Sequence, residues 1–297
     1  MADLIEQLSA ELSARTAALQ ASVAAIRAHS GRHLSATLWQ PDVAVASEQS
    51  LPRRDEYEVV LPGGTNAMAK LVGRDPGTNI AVLHLAVSAV PPSLVAADAA
   101  AGALALALGA DGEGGASIRL GAVNLAGPQW HSLAGGLIER RIVLDLRLAR
   151  REEGGPVFSA AGRFLGMSTF GPRARVLVIP SATIERIVPV LLKDGRVARG
   201  WLGVALHPVA VPDALREHAG QASGMMVMSP VEGGPAAKAG IVAGDIVLSV
   251  NDVPALGFRR IARALAPASI GGKAALRVVR GGAVVSVEAV IEARPAG

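Results

Sequence analysis

Two adjacent acids, Glu152 and Glu153, stand just before a Gly154-Gly155-Pro156 turn, and a chemical reading of the chain starts there. Paired carboxylates can divide acid and base work in hydrolysis, but neighbours in a turn usually diverge, so no such partnership is expected. Ser47, Ser50, Ser159 and Ser168 offer hydroxyls. A serine becomes a nucleophile only when a base takes its proton, and none of the four has a histidine beside it. His29 and His33 are four apart, a spacing that puts two imidazoles on one helix face. Gly31 between them favours a turn and no third ligand is in view, so neither a metal nor a cofactor is expected. The chain has no cysteine, which excludes disulfides and thiol catalysis.

The elements around these residues read mainly as strands. Ile142-Val143-Leu144 enters the turn, Val157-Phe158 leaves it, and Ala160-Ala161-Gly162-Arg163 folds the chain into a further apolar run. Over 297 residues the chain carries 34 Gly, 18 Pro and only 3% aromatics, which suits many short strands with Ala, Val, Leu and Ile cores in two domains. Hairpins are expected at residues 34–46 and 57–73. Ser181 opens a helix to about Leu192, and a second helix is expected over residues 258–266. At the start, Ile5, Leu8, Leu12, Leu19, Val23 and Ile26 recur at helical spacing, predicting an amphipathic helix over residues 3–27. Its stripe suits either a helix lying across a barrel or a seam between chains.

With these motifs in place, the chain resembles the HtrA/DegP family of trypsin-fold serine proteases. Relatives write their nucleophile loop as Asp, several residues, then Gly-Asn-Ser-Gly-Gly-Pro. Here Asp145 and Gly154-Gly155-Pro156 match, while Glu153 stands at the serine and Arg151 at the first glycine. Gln49 aligns with the general base, with Glu48 as the one-residue slip, and Asn79 in Thr78-Asn79-Ile80-Ala81-Val82-Leu83 aligns with the orienting acid. The resemblance therefore implies no catalytic residue: Gln49, Asn79 and Glu153 are degenerate triad positions, since an amide takes no proton and Asn supplies no charge to an imidazolium. Asp75 reads as a turn residue. The oxyanion hole would come from N–H groups around Arg151 and Glu153, and residues 169–175 would line the specificity pocket.

After a polar linker at residues 194–200, Trp201-Leu202-Gly203-Val204 matches the carboxylate loop of a PDZ domain. The stretch from Gly240 to Asp252 matches that family's longer Gly-Asp motif. The resemblance implies a peptide site formed by Trp201, Leu202, Gly203, Val204, Phe258, Ile261 and Leu265. The expected architecture is mostly β: an N-terminal helix (1–28), a trypsin-like double β-barrel (29–196) and an α+β PDZ domain (199–294).

The implied function is a non-catalytic scaffold, regulator or chaperone that binds protein or peptide C-termini, with an active endopeptidase as the alternative. A homo-oligomer is expected, a trimer by resemblance. The net charge is only +4 and 25 of 29 basic residues are Arg, without aromatics interleaved, so nucleic acid is not an expected partner. No apolar run is long enough to span a membrane. The acidic start Met1-Ala2-Asp3-Leu4-Ile5-Glu6 lacks a signal peptide's features, which makes the cytoplasm the default, or the periplasm if the sequence begins at a mature end.

Overall fold

A computed structural model describes residues 2–28, 31–265 and 270–295. His29 of the histidine pair and Ala266 at the end of the expected second helix lie outside them. Contacts divide the chain into two compact units, residues 1–130 with 136–197 and residues 131–135 with 198–297.

The first unit begins with helix α1 (Ala2–Leu19). The helix is shorter than its sequence pattern predicts, because Val23 and Ile26 belong to strand β1 (Val23–Arg27) instead. Ile26 is wholly buried and Val23 is 2% exposed. Their β-branched side chains fit a pleated wall better than a solvated helix end. On α1, Leu4, Ile5 and Leu8 face solvent, whereas Leu12 and Leu19 pack on the core.

Strands β1, β2 (His33–Gln40), β3 (Val43–Ser47), β4 (Glu56–Val60), β5 (Asn66–Asp75) and β6 (Ile80–Leu85) close a barrel in the order β1-β2-β3-β6-β5-β4. Ile26, Leu38, Tyr57, Val59 and Leu83 fill it. A second barrel follows from β7 (Leu104–Ala110) and β8 (Ala116–Gly127). The two-residue strands β9 (Trp130–His131) and β10 (Leu137–Ile138) then precede β11 (Arg141–Asp145), β12 (Pro156–Ser159), β13 (Phe164–Phe170) and β14 (Val176–Pro180). Its order is β11-β14-β13-β12-β7-β8. Helix α2 (Ser181–Asp194) lays Ile184, Ile187, Val188 and Leu191 onto an apolar core shared by both barrels, with Val45, Val82, Leu108 and Phe158. Closing both sheets leaves few free strand edges.

The loop between β11 and β12 carries the Gly-Gly-Pro turn to the junction of the barrels. A Cβ on Gly154, whose φ is +92°, would sit 2.2 Å from the Ser35 carbonyl oxygen, and one on Gly155 would sit 1.9 Å from that of Leu108. Both glycines are therefore required by close backbone approach.

The second unit holds β15 (Gly200–Trp201) and β16 (Val204–Ala210), then α3 (Arg216–Ala219), β17 (Ser223–Pro230) and α4 (Pro235–Lys238). It continues through β18 (Ile246–Val250), β19 (Val253–Pro254), α5 (Phe258–Ala264), β20 (Lys273–Arg280), β21 (Ala283–Val290) and β22 (Glu292–Ala293). The main sheet runs β16-β17-β18-β20-β21. It covers a core of Leu202, Met225, Val247, Ile261 and Leu276.

Candidate functional site

Three loops of the double barrel bring Gln49, Asn79 and Glu153 together. Asp75, buried at the end of β5, accepts the N–H groups of Gly77 (3.2 Å) and Thr78 (3.1 Å) and the Thr78 hydroxyl (2.6 Å). It is the turn residue that the sequence suggests. The turn delivers Asn79 at φ 59°, a left-handed conformation that Asn tolerates better than most residues. Asn79 Oδ1 accepts the Gln49 N–H at 2.7 Å, which fixes the orientation of its amide. Its Nδ2 donates to Ser47 Oγ (2.9 Å) and Thr169 Oγ1 (2.7 Å). Asn79 thus holds the Gln49 backbone in place without contributing charge.

Glu153 is only 5% exposed, and its Oε1 is the hub of the cluster. It accepts from Gln49 Nε2 (2.6 Å), Ser47 Oγ (2.8 Å), Thr169 Oγ1 (2.9 Å) and the Phe170 N–H (3.3 Å). Donors converging on one oxygen suit a carboxylate, which has only acceptor sites when ionised. Gln49 Nε2 also lies 3.0 Å from the Phe170 carbonyl. Thr169 joins four of the network's side chains, Ser47, Gln49, Asn79 and Glu153, yet in the sequence it reads only as the start of a specificity-pocket turn. Ser50 donates to the Ser47 carbonyl (3.1 Å).

Glu152 points the other way, as expected of adjacent acids. It is fully buried and receives Ser117 Oγ (2.8 Å), Arg119 Nε (3.1 Å) and the Ala149 N–H (2.6 Å). Burial works against its ionisation, but the Ala149 N–H, Arg119 and Ser117 outweigh that and hold its carboxyl below the usual range. Ser117 and Arg119 have no motif in the sequence that would mark them.

Immediately before Glu153, residues 150–152 form a turn of 3₁₀ helix that ends on Glu152. The Glu152 N–H donates to the Ala149 carbonyl (2.9 Å) and the Glu153 N–H reaches the Arg150 carbonyl (3.4 Å). Arg151 is absent from the residues with positive φ. A donor aimed at its own loop cannot also stabilise an oxyanion at full strength. The cleft beside the cluster, of about 660 Å3, is lined by Gln49, Ser50 and Glu153 and by Arg32, Arg150 and Arg151.

In the second unit all seven residues expected at the peptide site line one groove of about 240 Å3: Trp201, Leu202, Gly203, Val204, Phe258, Ile261 and Leu265. Leu202 and Ile261 are buried, whereas Phe258 is half exposed. Gly203 takes φ +71°. The Leu202 and Gly203 carbonyls accept the N–H groups of Ala236 (2.8 Å) and Val231 (2.7 Å), which fixes the loop. Among the described residues, no group of three or more His, Asp or Glu is placed to hold a metal, and no helix is long and apolar enough to cross a membrane.

The sequence pattern of the trypsin-like peptidase domain matches residues 18–167, and that of the PDZ domain matches residues 226–280. A "Probable periplasmic serine endoprotease DegP-like" of Brucella suis biovar 1 (strain 1330) is 34% identical over 251 residues, covering 81% of this chain and 48% of the relative. A protein of the same name from Rhizobium meliloti (strain 1021) is 31% identical over 235 residues, covering 76% of this chain and 46% of the relative. The chain thus spans about half the length of these curated relatives. The solved "HtrA-type protease AlgW with tripeptide" superposes with TM-score 0.71 at 26% identity, covering 97% of this chain and 98% of that one. The serine endoprotease from Yersinia pestis gives TM-score 0.73 at 22% identity, with 96% and 98% coverage. The expectation of a cytoplasmic protein is overturned here, because the relatives are named as periplasmic proteins and point to that compartment. The chain belongs to the trypsin-like peptidase family, as an HtrA/DegP-like member that carries a PDZ domain.

Proposed function

We propose that this chain is a non-catalytic HtrA-like protein that acts as a peptide-binding scaffold, regulator or chaperone. The observation that carries this reading is the Glu153 carboxylate, held by Gln49, Ser47 and Thr169 where relatives place a serine and a histidine. Neither side chain at the first two triad positions can take a proton from a hydroxyl at neutral pH. The groove of Trp201 to Val204 with Phe258, Ile261 and Leu265 is proposed to receive the free C-terminus of a protein or peptide. Leu4, Ile5 and Leu8, exposed on α1, are proposed to meet other copies of the chain in a homo-oligomer. The names of the relatives favour the periplasm as the place where this happens.

An endopeptidase is the second reading, since the relatives are named endoproteases. One contact favours it: Ser47 Oγ lies 2.8 Å from the Glu153 carboxylate, a hydroxyl beside a base. Against it, Ser47 is 1% exposed, so a scissile carbonyl has no approach to that oxygen. Casein turnover and fluorophosphonate labelling of the unmodified chain separate the two readings. Neither is expected, and a label on Ser47 or any other serine would establish the endopeptidase.

A further inference from the structure

The cleft beside Glu153 has a charge pattern that the degenerate triad does not explain. Arg32, Arg150 and Arg151 all line it, and all three are exposed. None of the three forms a salt bridge within the chain among the described residues, whereas Arg74, Arg119 and Arg280 each face a carboxylate. The one acid in the cleft is Glu153, whose Oε1 is turned inward onto Ser47, Gln49, Thr169 and the Phe170 N–H. Three cations against one buried acid leave the cleft with an excess of positive charge.

We propose that this cleft binds an acidic segment within a polypeptide, with Arg32, Arg150 and Arg151 pairing to its Asp and Glu side chains. Guanidinium groups match carboxylates through two parallel N–H donors, which gives geometric selection as well as attraction. The spread of the three over a cleft of about 660 Å3 suits several carboxylates along a chain better than one small anion. Among the described residues no Phe, Tyr or Trp lines the cleft, and its one ring, His33, is tied through Nε2 to the Ala110 carbonyl at 2.9 Å, which leaves no stacking platform for single-stranded nucleic acid. The proposal rests on the non-catalytic reading of the same cleft, and names the ligand class for it.

The test uses the full chain and a fluorescein-labelled peptide of mixed Asp and Glu, acetylated and amidated so that it offers no terminal carboxylate. Anisotropy is compared with the same peptide carrying Asn and Gln. The acidic peptide is expected to bind at least tenfold tighter and to weaken as salt rises. The double charge reversal Arg150→Glu/Arg151→Glu is expected to lose that preference, and Arg32→Glu to reduce it, with circular dichroism unchanged in both. No binding, equal affinity for the two peptides, or indifference to the charge reversals would overturn the proposal while leaving the non-catalytic reading intact. Mass spectrometry of the recovered peptide supplies the separate check, since cleavage would instead sink the non-catalytic reading.

Discussion

The loop around Glu153 lies in the stretch that the trypsin-like peptidase pattern matches, the loop around Gly203 lies in the second unit, and the two differ in what their residues hold together. In the first, Gly154 and Gly155 allow the close approach of backbones, while Gln49 links Glu153 to Asn79 through hydrogen bonds. In the second, the apolar and backbone features expected of a peptide groove stand together on Trp201, Gly203, Phe258 and Ile261. Folding demands on a glycine turn persist because a Cβ there meets a backbone carbonyl. A nucleophile faces no such demand, since its neighbours can form hydrogen bonds with a replacement.

The sharpest challenge to this contrast is repair of the first loop. Glu153→Ser alone is expected to stay inert, because its hydroxyl would meet the Gln49 amide rather than a base. In well-studied triads, loss of nucleophile or base alone lowers the rate about as much as loss of all three, roughly 10⁶-fold. Activity should therefore emerge only when Gln49→His and Asn79→Asp are added, with Arg151→Gly to free the Glu153 N–H from the Arg150 carbonyl. Casein turnover with fluorophosphonate labelling is the measurement. Labelling of the single variant would show that another group serves as base.

A smaller effect is expected from Glu152→Ala, which tests whether the loop before Glu153 is structurally required. The substitution strands Arg119 and the Ala149 N–H. Water can still reach Arg119, whose side chain is 46% exposed, so the main cost is the lost partner of the Ala149 N–H, about 1–3 kcal/mol. Urea unfolding would register it, and an unchanged midpoint would mean that the loop has become dispensable. In the second unit, a free-acid peptide with an apolar last residue should bind at least tenfold tighter than its C-terminal amide, a difference of about 1.4 kcal/mol. Equal affinities in a fluorescence titration would remove the carboxylate-loop assignment.

How much of this was legible in the sequence depended on how local each cause is. Most strands of the two barrels and the Asp75 turn rest on short patterns, and these read correctly from neighbours in the chain. Helix α1 reads too long because Val23 and Ile26 continue its spacing by chance, while the barrel wall claims both. The Ser47–Thr169–Glu153 network was hidden because its members are more than a hundred residues apart or lie on different strands, and Thr169 has no motif of its own. Arg119 was hidden for the same reason. The cationic side of the cleft joins Arg32 to Arg150 across the two barrels, a juxtaposition that spacing cannot reveal.

The finest comparison uses acid, because each unit has a buried carboxylate against an arginine. Glu152 faces Arg119 in the first unit, and Asp245 faces Arg280 in the second, with Nε to Oδ1 at 2.8 Å and Nη2 to Oδ2 at 2.6 Å. Burial opposes the ionisation of Asp245, but Arg280 and the Val242 N–H outweigh it and hold its carboxyl below the usual range, as happens at Glu152. A carboxyl lowered in the folded state contributes stability that is fully present above its unfolded value, about 3.9 for Asp and 4.3 for Glu. That contribution fades as pH falls through the lower, folded value. Both units should therefore keep these contributions at neutral pH and lose them only below about pH 4. Asp245→Asn and Glu152→Gln should each flatten the acid limb of the urea midpoint against pH, Asp245→Asn through the second unit and Glu152→Gln through the first. Arg280 is 38% exposed against 46% for Arg119, so solvent screens both pairs and the flattening should be modest and similar in size. An acid limb that is unchanged in Glu152→Gln but lost in Asp245→Asn would place the acid-sensitive contact in the PDZ unit alone.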